Sequence, residues 1–258
     1  MNPLATLPLV VFVVLLELAV GGAVALILLE RSTDTPLGFV RLTAIVDAIA
    51  AIFAAVIAPA LPGDATFLVP YAYVVAAAMA ATFVVALGNW PRVRQAVEAV
   101  AAIVGLAVLV AASVARVGGP SAYDVIALVA LPVGALALGG VDAAMLLGHW
   151  YLVTPKLSPR PLETAALLFA GALVLQALLL LIAFSRGFVA TAWDANAAAT
   201  VLRVFVGIVA PLPIAVAAWW TARMNTQSST GLLYIALGMV LAGEIMARML
   251  FYVAGVPI

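Results

Sequence analysis

Eight long apolar runs, separated by short polar or proline- and glycine-marked turns, dominate this sequence of 258 residues. A helix needs about 20 apolar residues to cross the hydrocarbon core of a bilayer. Because lipid offers the backbone no hydrogen-bond partner, runs of this kind cross the membrane as helices. We therefore predict an all-α membrane protein. Its eight transmembrane helices are predicted near residues 5–29, 39–60, 66–88, 94–116, 123–150, 162–185, 198–221 and 231–254.

Composition excludes several classes of function. Apolar residues make up 67% of the chain and charged residues 9%, which leaves no room for a soluble domain, so residues 1–258 are predicted as a single integral membrane domain. A chain without cysteine holds no thiolate-bound iron–sulfur cluster and no haem c, and one histidine excludes a haem b held by two histidines. We expect no metal and no covalently bound cofactor here. The net charge of zero gives no indication of nucleic-acid binding.

Basic residues are concentrated on one side of the predicted helices. The positive-inside rule assigns that side to the cytoplasm, which places both termini outside the cytoplasm in a cytoplasmic (inner) membrane. The basic residues on the predicted cytoplasmic side are Arg31, Arg41, Arg92, Arg94, Lys156, Arg160 and Arg223. Those on the opposite side are Arg116, Arg186 and Arg203.

A weak internal repeat relates the two halves of the chain. The residues 18–22, Leu-Ala-Val-Gly-Gly, match residues 136–140, Leu-Ala-Leu-Gly-Gly. Paired glycines lack side chains and allow two helix backbones to approach closely in lipid. If the repeat is real, its halves are 1–118 and 119–258, and each half forms a four-helix bundle.

Five carboxylates lie inside the apolar runs, where a charge costs about 2.5–3.5 kcal/mol on insertion scales. These are Glu17, Asp47, Glu98, Asp142 and Glu244. Groups of this kind normally face a bundle interior, where they pair with each other or handle protons, ions or a polar ligand. The five positions are therefore the first candidates for function.

Arginines in the same helices offer partners to some of these carboxylates. Glu98 follows Arg94 by four residues and is interpreted as a surface ion pair without a functional role. Asp47 can reach Arg41 if the arginine side chain extends along the helix. Neither residue is predicted to be functional.

Glu244 and Arg248 stand four residues apart in the last span, in the favourable order for an intrahelical ion pair. Two interpretations remain open for this pair. It lines a polar pocket or proton route, or it is a structural pair that fixes the rotation of one helix.

Glu17 and Asp142 have no arginine in reach within their own helices, so each must be protonated or meet a polar group from another helix. His149, two turns after Asp142, has the side chain best suited to proton transfer near neutral pH. The aromatic side chains of Trp150 and Tyr151 follow directly and are candidates to flank a flat ring. These five residues form the candidate site for handling protons and for binding a flat ring.

The chain resembles the membrane-anchor subunits of the dimethyl sulfoxide reductase type, which are related to polysulfide reductase and NrfD-like integral membrane subunits. In the last span the resemblance rests on Gly243, Glu244, Arg248, Phe251 and Tyr252. The first and fifth spans add Pro8, Leu9, Phe12, Gly21, Gly22, Gly134, Gly139, Gly140, Leu146, Leu147 and Gly148. One position differs, because Ala86 stands where the family carries a histidine ahead of its Leu-Gly segment.

The resemblance implies a quinol-oxidising or quinone-reducing anchor built as two four-helix bundles, with menaquinone or ubiquinone as its substrate. It also implies two partners, an iron–sulfur subunit and a molybdenum-containing catalytic subunit. We therefore expect a haem-free anchor subunit of a respiratory oxidoreductase, without a catalytic centre of its own beyond a quinone site. Two alternatives remain open, a small proton-coupled secondary transporter or exporter and a structural membrane subunit without a site.

Overall fold

The computed structural model describes residues 3–88, 90–114, 125–154 and 157–258, with side chains from residue 6 onward. Its α-helices are α1 (Pro3–Ser32), α2 (Leu37–Ile57), α3 (Val69–Leu87), α4 (Pro91–Val114), α5 (Val125–Val153), α6 (Arg160–Ser185), α7 (Phe188–Val201), α8 (Pro211–Ala222) and α9 (Thr226–Met249). Short 3₁₀ turns cover Ala58–Ala60 and Gly63–Leu68, and π-helical segments cover Leu202–Val209 and Leu250–Ala254. The predicted repeat boundary at 118/119 and the side chains of Arg116 and Lys156 lie outside the described residues.

Eight stretches of the described chain are long and apolar enough to cross a membrane, which confirms the predicted all-α membrane fold. Most of them match the predicted limits within a few residues. The seventh is longer than predicted, because it begins at Phe188 rather than near residue 198 and continues to Ala222. Gly187, with a φ of 77°, allows a tight turn directly after α6, so the polar residues that follow belong to the span.

The seventh span is also irregular. Asn196 leaves the helical region of backbone conformation and marks a kink in α7. The π-helical segment Leu202–Val209 follows, and Ala210 N–H donates to the carbonyl of Phe205, one residue farther back than in an α-helix. Pro211, which lacks an N–H, then begins α8. These irregularities bend the span beside α6.

The helices pack as two four-helix groups. One apolar core is formed mainly by spans one to four and another mainly by spans five to eight, and α1, α2, α5 and the segment Leu250–Ala254 contribute residues across this division. The most extensive helix contact of the described chain joins the groups, because α1 packs along α5, and these are its two most buried spans. The predicted pair of bundles is therefore present.

The α1–α5 contact is a crossing of two backbones at glycine. A Cβ atom added to Gly21 would lie 1.7 Å from the carbonyl oxygen of Ala135, and one added to Gly139 would lie 2.2 Å from the backbone of Gly21 and Gly22. No side chain fits between the helices at this point. The close approach predicted from the two glycine pairs is confirmed at Gly21, Gly22 and Gly139, whereas Gly140 makes only an ordinary contact with Phe169.

Candidate functional site

Five buried polar side chains from four spans meet inside the bundle. We call Glu17, Gln176, Arg203, Glu244 and Arg248 the charged network. Arg248 Nε lies 2.9 Å from Glu17 Oε1, and Arg248 Nη2 donates to Glu244 Oε2 at 2.6 Å. Glu244 Oε1 accepts from Arg203 Nη1 at 2.6 Å and also from Gln176 Nε2. Two carboxylates and two guanidinium groups thus balance their charges in the bundle interior.

A glycine and a π-helical segment lie against the charged network. A Cβ atom on Gly134 of α5 would lie 2.4 Å from Arg248 Nη2 and 2.7 Å from Glu244 Oε2, so any larger residue displaces the ion pair. Arg203 lies in the π-helical segment, a form of helix that occurs frequently at functional sites. Gly134 is in the first half of α5 and Arg248 is in the last turn of α9, so the network lies nearer the face that carries the chain termini.

The charged network contains two of the predicted features and joins them. The predicted intrahelical pair of Glu244 and Arg248 is confirmed. Glu17 meets a polar group from another helix, as expected, and that group is Arg248. Arg203 and Gln176 were not among the predicted site residues. Arg203 could have been identified from the sequence as a cation within an apolar run. Its charge is opposite to that of Glu17, which has no arginine partner within its own helix.

A small cavity adjoins the charged network. Gln176 and Arg203 line it together with Leu180, Pro257 and apolar neighbours, and its volume is about 10 Å³. Gln176 Oε1 and Arg203 Nε are buried without a hydrogen-bond partner among the described residues. Two of the residues that line the cavity thus carry one free acceptor and one free donor, and the cavity has the size of about one water molecule.

A larger groove lies on the other side of Leu180 and opens to the lipid. We call it the aromatic groove, and its volume is about 280 Å³. Its lining residues are Leu180, Leu181, Phe184, Val189, Trp193, Thr200, Val201, Val204 and Phe205. Phe184, Trp193 and Phe205 are all more than half exposed on the outside of the bundle. Apart from Thr200, whose hydroxyl donates to the carbonyl of Asn196, the lining is apolar.

Three further carboxylates are buried around α1 on the side away from the termini. We call Asp47, Glu98 and Asp142 the carboxylate cluster. Asp47 packs on Gly22, where an added Cβ would lie 2.2 Å from Asp47 Oδ1, and it lies within electrostatic reach of Asp142 and Glu98. Asp47 Oδ1, Asp142 Oδ2 and both oxygens of Glu98 lack a hydrogen-bond partner among the described residues.

Two sequence-based interpretations of the carboxylate cluster are wrong. Glu98 pairs with Arg94 as predicted, but it is not a surface residue; it is fully buried, because α4 turns this face toward α1. Asp47 does not pair with Arg41, whose guanidinium donates to the carbonyls of Ala86 and Leu87 at the end of α3. Arg41 thereby satisfies backbone acceptors that the end of a helix leaves free. Asp47 therefore has no ion pair with Arg41.

Arg94 connects the carboxylate cluster to an open polar vestibule. Its Nη2 lies 2.9 Å from Glu30 Oε1, and its Nε lies 3.7 Å from Glu98 Oε1. Glu30 lines a vestibule of about 540 Å³ at the face opposite the termini, together with Asp34, Arg160 and other residues. A line of ionisable groups thus runs from this face into the bundle.

No family model, curated protein or solved structure matches this chain. Among the described residues, no three ligand side chains stand close enough together to hold a metal ion. A proposal for the function therefore rests on the chemistry of the charged network and the carboxylate cluster.

The remaining predicted site residues lie at the end of α5 and point in different directions. His149 is exposed, and its Nδ1 lies 2.8 Å from the hydroxyl of Tyr234. Trp150 packs on the backbone of Gly38, and Tyr151 is buried with its hydroxyl on the carbonyl of Ser158. The described contacts do not bring these three side chains together around one ligand.

Proposed function

We propose that this chain is a haem-free, quinone-interacting membrane subunit of a respiratory oxidoreductase. The single observation that carries the proposal is the pairing of two features at membrane depth. Buried ionisable side chains with unpartnered polar atoms lie inside a bundle whose outer surface carries apolar grooves. That combination suits a substrate that is dissolved in the membrane but exchanges protons.

Quinone chemistry needs both features. A quinol that is oxidised gives up two electrons and two protons, and the reverse reaction takes them up. The electrons pass to an iron–sulfur cluster, which must belong to a partner subunit because this chain has no cysteine. The partner in turn serves a molybdenum-containing subunit, as the family resemblance implies. The protons need acceptors within hydrogen-bond reach or connected through water.

The carboxylate cluster is the natural store for these protons. Glu98 lies near one guanidinium, that of Arg94, which is held mainly by Glu30, whereas no cation of the described residues pairs with Asp47 or Asp142. An excess of negative charge at this depth is removed when a carboxyl group binds a proton. Asp47 and Asp142 thus take up and release protons without leaving the membrane, and the vestibule behind Glu30 connects them to water.

The cavities support a quinone substrate over a transported polar solute. A polar solute needs a water-filled route through the bundle, whereas the cavity beside the charged network has room for about one water molecule. The vestibule at Glu30 is large enough for a small polar molecule but lies at one face of the bundle, and two further grooves of sufficient size lie on the apolar, lipid-facing surface. A lipid-soluble substrate reaches them directly from the bilayer.

Purification in mild detergent tests the proposal. We expect the tagged protein to retain quinone, detected by extraction and mass spectrometry, and to copurify with subunits that contain iron–sulfur clusters and molybdenum. Isolation as a lone, quinone-free protein that moves a solute across liposome membranes would contradict the proposal and favour a transporter.

Substitution in the carboxylate cluster tests proton handling. We expect Asp47→Asn and Asp142→Asn each to lower quinol-linked turnover of the intact complex about 10²-fold or more, the range of general acid–base catalysis. Folding should be retained, because asparagine keeps the shape of a protonated aspartic acid. Steady-state turnover, normalised to bound quinone, is the measurement.

Glu163→Gln is the matched control for these variants, because Glu163 is a carboxylate of the vestibule that pairs with Arg223 and lies off the line from Glu30 to the cluster. We expect its turnover to stay within twofold of the unchanged protein. Normal turnover in both aspartate variants would remove the carboxylate cluster from the mechanism.

A further inference from the structure

We infer that one phospholipid with an ethanolamine headgroup binds between α1 and α6. Its headgroup lies in the vestibule, and one of its acyl chains lies in a groove that adjoins the vestibule on the lipid-facing surface. We call this the glycine groove, because Gly21, Gly140 and Gly171 line it, and its volume is about 280 Å³. The inference goes beyond the proposed function and does not depend on it.

The vestibule and the glycine groove adjoin along two antiparallel helices. On α1, Leu28 lines the groove, and Arg31, three residues later, lines the vestibule. On α6, Thr164 lines the vestibule, Leu167 lines both, and Gly171 lines the groove. Positions three or four residues apart lie on one face of a helix. The two helices therefore present one surface that passes from the polar vestibule into the apolar groove.

The length of this surface matches one leaflet of a bilayer. Gly21 and Arg31 lie ten residues apart on α1, which corresponds to about 15 Å along the helix axis. The hydrocarbon core of a bilayer is about 30 Å thick, so one leaflet contributes about 15 Å. An acyl chain whose headgroup is held at Arg31 therefore reaches the far end of the groove at Gly21.

The surface of the glycine groove suits an acyl chain. Its lining side chains are apolar, and Leu28, Leu167 and Leu175 are between 39% and 48% exposed along it. A Cβ atom added to Gly171 would meet no atom within 4 Å, so the missing side chain leaves open space at this position. Methylene groups that fill this space remove apolar protein surface from contact with mobile lipid and gain dispersion contacts.

The charges of the vestibule are only partly paired within the protein. Its six ionisable lining residues are Glu30, Arg31, Asp34, Arg160, Glu163 and Arg223. Glu163 pairs with Arg223 at 3.0 Å, and Glu30 pairs with Arg94 of α4 at 2.9 Å. The other three, two arginines and one aspartate, are exposed and form no ion pair among the described residues.

The three remaining charges complement an ethanolamine headgroup. Arg31 and Arg160 offer guanidinium groups, whose planar set of donors matches a phosphate. Asp34 offers a carboxylate, which accepts hydrogen bonds from the ammonium group. A choline headgroup has no N–H to donate, and a glycerol headgroup has no cation. Phosphatidylcholine and phosphatidylglycerol therefore leave Asp34 without an ion-pair partner.

Native mass spectrometry of the full chain tests the headgroup. The protein is placed in nanodiscs with equal amounts of phosphatidylethanolamine, phosphatidylglycerol and phosphatidylcholine and is then released in mild detergent. We expect one retained phosphatidylethanolamine per chain, at least fivefold more often than either other lipid. Arg31→Gln/Arg160→Gln should lower its retention at least tenfold. Asp34→Asn should keep a lipid bound but abolish the preference for ethanolamine over glycerol. Preferential retention of another lipid or of quinone by the unchanged protein would overturn the inference.

Gly171→Trp tests the acyl-chain groove independently of the headgroup. The indole ring fills the groove from an open position, and we expect retained phosphatidylethanolamine to fall at least tenfold. Leu178→Trp is its matched control, because Leu178 is exposed on the same helix and lines neither the groove nor the vestibule. Arg92→Gln is the control for the arginines, because Arg92 is exposed beside a different groove, between α3 and α4.

We expect lipid retention in both control variants to stay within twofold of the unchanged protein, with all variants eluting as monodisperse protein. Unchanged retention in Gly171→Trp and in the double arginine variant would contradict the inference, as would equal losses in the controls. Quinone content, measured in the same samples, reports on the proposed function separately. The lipid site and the quinone proposal can therefore fail independently of each other.

Discussion

Replacing Arg248 by methionine should cause the largest loss of stability available from a single side chain. Arg248 is the cation that faces both Glu17 and Glu244, and all three side chains are fully buried. Without it, Glu17 loses its ion-pair partner and the network carries an excess negative charge. Leaving one member of a buried pair behind costs about 3–5 kcal/mol. We expect a lower unfolding temperature in detergent and a smaller yield of monodisperse protein.

The cause can be separated from loss of packing by a second substitution. In Glu17→Gln/Arg248→Met the remaining Glu244 and Arg203 balance each other, so we expect the double variant to be more stable than Arg248→Met alone. Arg223→Met is the control for loss of an ion pair as such, since the pair of Arg223 and Glu163 is exposed and contributes at most about 1 kcal/mol. A double variant no more stable than the single one would show that charge balance is not what holds the network.

Gly21→Ala should separate the two bundles at their crossing. The added methyl group would lie 1.7 Å from the carbonyl oxygen of Ala135, and a backbone atom cannot move aside by changing rotamer. Overpacking of side chains costs about 1–3 kcal/mol, and we expect this substitution to reach or exceed the upper limit. Thermal unfolding followed by size-exclusion chromatography measures the effect.

Gly171→Ala provides the comparison, because it makes the same chemical change where no neighbouring atom lies within 4 Å. Alanine is favoured over glycine in a helix by about 1 kcal/mol, so this variant should be as stable as the unchanged protein or slightly more so. If Gly21→Ala were equally well tolerated, the backbones of α1 and α5 could not be in contact at this point.

The sequence was sufficient to predict the spans because hydropathy is a local property. Apolar runs of sufficient length form helices in lipid whatever their neighbours are. The seventh span was predicted to begin near residue 198 although it begins at Phe188, because Asp194 and Asn196 make the stretch before residue 198 more polar. The close approach of the helices at Gly21 and Gly139 could also be predicted from the sequence. Paired glycines allow it because they lack side chains, whatever the chemistry of the neighbouring helix.

The rotation of each helix decides which buried charges face one another. The sequence of one span alone does not determine that rotation. Glu244 with Arg248, and Glu98 with Arg94, could be paired in advance, because each pair lies one turn apart on one helix. The pairing of Glu17 with Arg248 requires the first and last spans to be adjacent. The assignment of Asp47 to Arg41 failed for the same reason, since Arg41 found carbonyl oxygens on a neighbouring helix. Residue spacing within one helix thus predicts ion pairs within that helix, whereas packing of the bundle also brings together residues that are far apart in the sequence.

The pairing of Glu17 with Arg248 also constrains how the protein is made. Glu17 emerges from the ribosome in the first span, and its cation follows only in the last. During synthesis of everything in between, the carboxyl group has to be held with a proton, by water or beside the insertion machinery. A chain that stops before the eighth span never acquires the partner. Formation of the ion pair therefore requires that all eight described spans are inserted and packed.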